Sequence, residues 1–298
     1  MENVIANNHH RLRRKFVEIA VTVGMRESGP FRSMSKVEKE IVLMVDSVDP
    51  KATIQRVSKL NSLRGYSLRA PASFQFHDIY FETASGSLRR KRLNLRIRKG
   101  KDGWLITMKR SPGLLQWRRN ERAELELVWS HESLDRILAE LSAKGITLSA
   151  HQHLDMTNPV ETMKNIGLFI VQDRETERNT KSVSLTPEGG ADLAELASDC
   201  VTYHFQRCDV RLYELEVEAK GSGSDKVLSD IRIGLLNTFG SELVPWNWGK
   251  LVTGKMIETL LKAGTLDDLF TNDLLTKRGI EEVEKALRNG SPKAILRQ

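Results

Sequence analysis

The sequence predicts an α+β protein whose strands close into a β-barrel, with helices packed around the outside. Three observations predict it. At least five segments alternate apolar and charged residues with a period of two, which is a strand with one face for a core and one polar face. The charged positions are almost undiluted by Ser, Thr, Asn or Gln and are grouped by sign within strands, whereas the solvated face of an open antiparallel sheet carries a mixture. Amphipathic helices lie between the strands and can cover their apolar sides, which turns the charged sides inward around a lumen.

In chain order, residues 1–33 read as an N-terminal extension. Arg11-Leu-Arg-Arg-Lys15 precedes an apolar stretch, but Glu18 interrupts it and no small-residue cleavage site follows, so a surface helix or arm is preferred to a targeting peptide. Residues 37–45 form a strand with Ile41, Leu43 and Val45 on one face and Glu38 and Glu40 on the other. Asp49-Pro50 starts a helix carrying Ile54, Val57, Leu60 and Leu63, and Gly65 stops it. After a loop at Pro71 comes a strand over 74–83. A hairpin follows, 93–98 and 104–109 about the turn 100–103, with Arg96, Arg98 and Lys109 on its polar side. The strand 122–127 places Arg122, Glu124 and Glu126 together. Leu134, Ile137, Leu138 and Leu141 make a helix that Gly145 ends.

The strand 168–178 carries Arg174, Thr176 and Arg178, and 181–186 pairs back beyond a turn. The strand 196–205 carries Asp199, and 213–220 stacks Glu214, Glu216, Glu218 and Lys220 against Tyr213, Leu215, Val217 and Ala219. A helix around Val227 to Leu236, a loop over 245–250 and a helix with Met256, Ile257, Leu260 and Leu261 complete a domain over 34–262, and 263–298 is a helical tail. Trp246 and Trp248 flank Lys250 and read as rim packing, with a cap on an organic ligand as the alternative, and His77 and His204 lie on strands without metal-ligand partners at useful spacing.

Composition narrows the partner. Lys plus Arg number 46 against 39 Asp plus Glu, a net charge of +7, which suits an anionic ligand held locally rather than a uniformly basic nucleic-acid surface. Aromatic residues make up only 6%, thin for stacking bases along a strand. Cys200 and Cys208 form neither a disulfide framework nor a zinc spacing, which points to a reducing compartment and a cytoplasmic protein. No apolar run is long enough to span a bilayer. A lumen lined by both signs is costly unless wet or filled by paired ions, and its natural occupant is a polyanion with divalent cations. Arginine grips phosphoryl oxygens bidentately, and carboxylate pairs hold hard ions such as Mg2+ or Mn2+.

These motifs, in this order, resemble the CYTH domain family of class IV adenylate cyclases and thiamine triphosphatases, the triphosphate tunnel metalloenzymes. The resemblance runs over roughly 34–262. It is carried by Val37-Glu-Lys-Glu-Ile-Val-Leu43, Asp78-Ile-Tyr-Phe-Glu-Thr83, Gly86-Ser-Leu-Arg-Arg-Lys91, Leu95-Arg-Ile-Arg98, Trp104-Leu-Ile-Thr-Met-Lys109, Arg122-Ala-Glu-Leu-Glu126, Arg174 with Arg178, Asp199, and Glu214-Leu-Glu-Val-Glu-Ala-Lys220. It implies a closed eight-stranded antiparallel β-barrel tunnel with surrounding helices that hydrolyses or cyclises a triphosphate with divalent metal. It implies metal ligation by Glu38, Glu40, Asp199, Glu214 and Glu216. It implies phosphate binding by Arg96, Arg98, Lys109, Arg122, Arg174, Arg178, Lys220 and Lys250, with Glu216 and Arg96 catalytic. Two departures stand out: Gly249 replaces the family's Ser before Lys250, and Val42 replaces the lysine that ends the first strand's Glu-x-Glu-x-Lys, with Lys36 on the same strand parity. The expected activity is hydrolysis of inorganic triphosphate or a small organic triphosphate, ahead of cyclisation of ATP and of a non-catalytic polyphosphate-binding module.

Overall fold

The computed structural model describes residues 39–110, 124–149, 154–186, 190–221 and 225–290. Alternating sequence becomes strand throughout. The long strands are β1 (Glu40–Val45), β3 (Tyr66–Thr83), β4 (Leu93–Gly100), β5 (Gly103–Arg110), β6 (Glu124–Val128), β7 (Leu168–Ser184), β8 (Ala194–His204) and β9 (Asp209–Ala219), and the short ones are β2 (Ser62–Leu63), β10 (Leu243–Trp246), β11 (Phe270–Thr271) and β12 (Leu274–Leu275). They form one sheet in the order β10-β1-β9-β8-β7-β3-β4-β5-β6, antiparallel along this path, with β2 beside β3, and β12 beside both β11 and, in parallel, β9.

The helices are α1 (Pro50–Ser58), α2 (Ser87–Arg90), α3 (His131–Ala143), α4 (Pro159–Asn165), α5 (Asp225–Phe239), α6 (Lys250–Lys262) and α7 (Lys277–Asn289). Their starts are written in polar caps. Asp49 accepts from the Ala52 N–H at 3.0 Å, Ser130 from Ser133 at 3.1 Å and Asn158 from Glu161 at 3.2 Å. Helices α1 and α5 bury Val57, Ile231 and Leu235 on Leu43, Val45, Leu215 and Val217 of the apolar sheet face. Helices α3 and α4 bury Leu134, Ile137 and Met163 on Ile79, Leu95, Ile97 and Ile106 of the same face further along. Helices α6 and α7 instead pack Met256, Ile257 and Val283 with Met44, Val201 and Tyr203, part of the opposite face.

Four expectations are corrected. The closed eight-stranded barrel is not what the described residues form: the sheet has twelve strands and its end strands, β6 and β10, are not paired with each other. Strand β10 spans four residues and contains Pro245, which has no N–H to offer a further strand and marks an edge. Helix α1 stops at Ser58 rather than at Gly65. Leu63 enters β2, and Arg64 and Gly65, with φ of 53° and 83°, make a two-residue hairpin turn into β3. Strand β3 begins at Tyr66 and passes through Pro71 at a register shift between Arg69 and Ala72, so the proline sits in a bulge rather than a loop. Strand β7 is continuous from Leu168 to Ser184, without a turn.

Candidate functional site

The site follows from register. Residues directly opposite on antiparallel strands share a face. Tyr203, Arg174, Asp78 and Arg98 form one row across β8, β7, β3 and β4, and Glu214, Asp199, Arg178 and Phe74 form another across β9, β8, β7 and β3. Glu40, Val42, Glu216, Glu218, Arg96, Thr107, Lys109, Glu124 and Glu126 fall on the same face by the same pairing. The charged face expected from the alternation is therefore continuous from β1 to β6.

On this face the charges gather in two clusters. In the first, Asp199, Glu214 and Glu216 each place a carboxylate oxygen within 4.8 Å of the others. Lys250 lies among them, its Nζ 3.0 Å from Asp199 Oδ2 and 2.5 Å from Glu216 Oε1 and also in contact with Glu214. Arg178 grips Asp199 with Nε and Nη2 at 2.7 and 2.5 Å and also pairs with Glu216. Asp199 and Glu214 are fully buried. Burial pushes the Glu214 carboxyl above its ordinary range, with Glu216 and Asp199 adding to the push and Lys250 opposing it. Burial works the same way on Glu216, but Lys250 and Arg178 outweigh it and hold that carboxyl below the ordinary range.

In the second cluster one buried carboxylate collects three guanidiniums. Asp78 Oδ1 accepts from Arg98 Nε at 2.6 Å, and Oδ2 accepts from Arg98 at 2.9 Å, Arg174 at 3.0 Å and Arg96 at 3.3 Å. Arg174 also donates to Tyr80 Oη at 2.9 Å and to Gln172 Oε1 at 3.0 Å. Arg96 leans toward Glu126 at 3.4 Å, and Lys109 pairs with Glu124 at 2.8 Å. Burial alone would raise the Asp78 carboxyl, but Arg96, Arg98 and Arg174 hold it well below the carboxylate range. Phe76 lies against both clusters: its ring centroid is 3.9 Å from the Arg98 guanidinium carbon and 5.7 Å from that of Arg178.

Helix α6 delivers Lys250. Its first turn is tied to the sheet by Tyr203 Oη donating to the Lys250 carbonyl at 2.9 Å and Gln172 Nε2 donating to the Leu251 carbonyl at 3.1 Å. Gly254 permits the approach, since a Cβ there would fall 2.3 Å from Gln172 Nε2 and 2.4 Å from the Tyr203 ring. Tyr203 is fully buried and Gln172 is held, so neither yields readily. Gly254→Ala is expected to cost about 1–3 kcal/mol through overpacking, more than the helix propensity it gains. Urea unfolding of the variant reads this, and a wild-type midpoint would overturn it.

The expected residues distribute unevenly. Asp199, Glu214, Glu216, Arg178 and Lys250 meet in one cluster and Arg96, Arg98 and Arg174 in the other. Glu40 is opposite Glu218 on this face but outside the three-carboxylate group, and Lys220 pairs with Glu218 at 2.7 Å at the far end of β9. Glu38, Arg122 and Lys36 lie outside the described residues. Val42 stands opposite Glu216, and the cations that meet Glu216 are Lys250 and Arg178. Asp78, Tyr80 and Gln172 are absent from the residues expected on the sequence. The signal for Asp78 was its place in the alternation Phe74, Phe76, Asp78, Tyr80, a lone acid in an aromatic row.

A family model described as the CYTH domain matches residues 48–240. Among solved structures, a protein from Bacillus halodurans named as an adenylate cyclase is similar at 17% identity over 73% of this chain and 96% of that one, with a TM-score of 0.41. The adenylyl cyclase-like HpAC1 from Hippeastrum, described as having a dominant triphosphatase activity, is similar at 16% identity over 77% and 96%, with a TM-score of 0.43. The PH1819 protein of Pyrococcus horikoshii OT3 is similar at 12% identity over 76% and 99%, with a TM-score of 0.41. No curated protein sequence matches the chain.

Proposed function

Because the chain belongs to the CYTH domain family, we propose that it is a divalent-metal-dependent hydrolase of a triphosphate, either inorganic triphosphate or a small organic one. The observation that carries the reading is the shared sheet face: three convergent carboxylates stand beside four arginines drawn from two strands, β4 and β7. The donor set fits Mg2+ or Mn2+, because all three groups offer hard oxygens and the Lys250 ammonium among them marks a point where a cation is already stabilised. Asp199, Glu214 and Glu216 would hold the ion, with Glu40 further along the strand face, and the family resemblance adds Glu38 to the set. The chemistry such an ion supplies when bound is neutralisation of phosphoryl charge and acidification of a water.

The protein's own groups do the rest. Arg96, Arg98 and Arg174 are pre-aimed by Asp78, and planar guanidiniums held in place can take phosphoryl oxygens without a large ordering cost. Lys109 and Lys250 add point charges, and the family resemblance adds Arg122 and Lys220 to the phosphate-binding set. Glu216, kept ionised by Lys250 and Arg178, is the carboxylate available to orient the attacking water. The same reading expects the charged sheet face within 34–262 to hold the triphosphate, with 1–33 and 263–298 as flanking segments, in a cytoplasmic protein that binds neither nucleic acid nor membrane. No helix among the described residues is long and apolar enough to cross a bilayer.

The test is phosphate release from inorganic triphosphate and a panel of organic triphosphates with Mg2+ and Mn2+ compared. Release is expected with either ion and none with a chelator. Conversion of ATP to cyclic AMP and pyrophosphate would replace hydrolysis with cyclisation, and tight triphosphate binding without any turnover would leave a binding module.

A further inference from the structure

Phe74 is 52% exposed yet stands on the charged face, directly opposite Arg178 and two residues from Phe76. Phe76 is already covered by the Arg98 guanidinium at 3.9 Å. Beyond Arg98, the same face continues through Leu105 on β5 and the 70% exposed Val128 on β6, which are paired in register with it and with each other. The arginine clusters thus have apolar side chains beside them in two places: Phe74 and Phe76 on β3, and Leu105 and Val128 at the far end of the Arg98 row. An inorganic polyphosphate has nothing to place there. Strand β4 pairs with β3 only over His77 to Phe81, so the ring of Phe74 is not roofed by a neighbouring strand on that side.

We infer that Phe74 is a specificity-determining residue that stacks a flat aromatic group, such as a nucleobase, carried by an organic triphosphate whose phosphates lie on Arg98 and Arg178. The inference rests on the triphosphatase reading and sharpens it, since it selects organic over inorganic triphosphate. A planar ring stacks on the Phe74 face while Phe76 stays engaged beneath Arg98. Base–aromatic stacking of this kind is sequence-tolerant and strong enough to set a preference of about tenfold or more. The two phenylalanines then divide their work: Phe74 meets the organic group, and Phe76 supports a phosphate-gripping arginine.

The test compares ATP with inorganic triphosphate as probes, by calorimetric binding and by phosphate release with Mg2+. Phe74→Ala is expected to lower ATP affinity and kcat/KM about tenfold while leaving inorganic triphosphate within about twofold, and Phe74→Trp is expected to restore ATP. Phe76→Ala is expected to weaken both ligands, because Arg98 loses its support. Phe74 is exposed, so its variants should fold as the wild type does. Equal losses on both ligands in Phe74→Ala, or no loss on ATP, would overturn the inference. Absence of turnover with either ligand would remove the hydrolase reading, and the binding ratio would still decide the role of Phe74.

Discussion

Glu216→Gln is expected to lower metal-dependent phosphate release about a hundredfold or more while leaving the protein folded. The substitution keeps the shape of the side chain and removes one charge from a group of three carboxylates whose oxygens lie within 4.8 Å. Lys250 and Arg178 together outweigh the burial of Glu216 and hold its carboxyl below the ordinary range, whereas burial pushes the neighbouring Glu214 carboxyl up. A group that helps neutralise and orient at the reacting phosphoryl supplies several kcal/mol, and about 1.4 kcal/mol is a factor of ten in rate. Triphosphate affinity without added metal should not fall, because Arg96, Arg98 and Arg174 are untouched and Arg178 loses a competing carboxylate. The measurements are phosphate release, triphosphate binding without metal, and a melting curve. Turnover within a few-fold of wild type would remove Glu216 from the chemistry. A collapsed melting curve would assign the loss to structure, and Glu216→Asp, which keeps the charge, would then show whether charge or packing matters.

Alternation over 93–98 and 213–220 reads straight through to β4 and β9 because each strand has helices on its apolar side and ionic partners on the other, so both faces constrain the residue type. The same logic hides the continuation of β7 beyond residue 178. Its buried positions Gln172, Arg174, Thr176 and Thr180 are as polar as its exposed positions Glu175, Glu177 and Asn179, so hydropathy carries no period over 172–180 even though burial broadly alternates there. The hairpin at Arg64 and Gly65 is missed because Leu60 and Leu63 continue a helical spacing from Ile54, and only the turn chemistry of the following glycine argues against it. The separation of the charges into two clusters is not legible at all. It depends on which strands are neighbours: Arg178 is opposite Phe74 on one side and Asp199 on the other, whereas Arg174, four residues earlier, is opposite Asp78 and Tyr203. Alternation fixes the face and says nothing of the partner. The alternation alone therefore leaves the arginines open to a phosphate and gives no place to Asp78 among them.

Asp78→Asn is expected to destabilise the protein by about 3–5 kcal/mol, the penalty for removing one partner from a buried ionic group. Asp78 is fully buried, and Arg96 and Arg174 are nearly so, so neither solvent nor a flexible neighbour can take over the lost charge. Glu126 and Glu124 stand 3.4 and 3.7 Å from Arg96, which leaves Arg174 with only neutral acceptors in Tyr80 and Gln172. The pH dependence follows from the direction of the shift. Asp78 is held below its ordinary pKa, so its stabilisation is fully present above about pH 4 and drains away only as pH falls from there through the lower folded value. The variant should therefore be less stable than wild type across neutral pH, and the gap should narrow in acid. Inorganic triphosphate should raise the melting temperature of Asp78→Asn more than that of the wild type, because phosphoryl oxygens replace the missing carboxylate and bind only the folded state. Urea unfolding at pH 7 and pH 3, with and without triphosphate, reads all three expectations. A loss below about 1 kcal/mol at pH 7 would mean that the three guanidiniums are not held by Asp78, and the pre-aiming of the phosphate site would have to come from elsewhere.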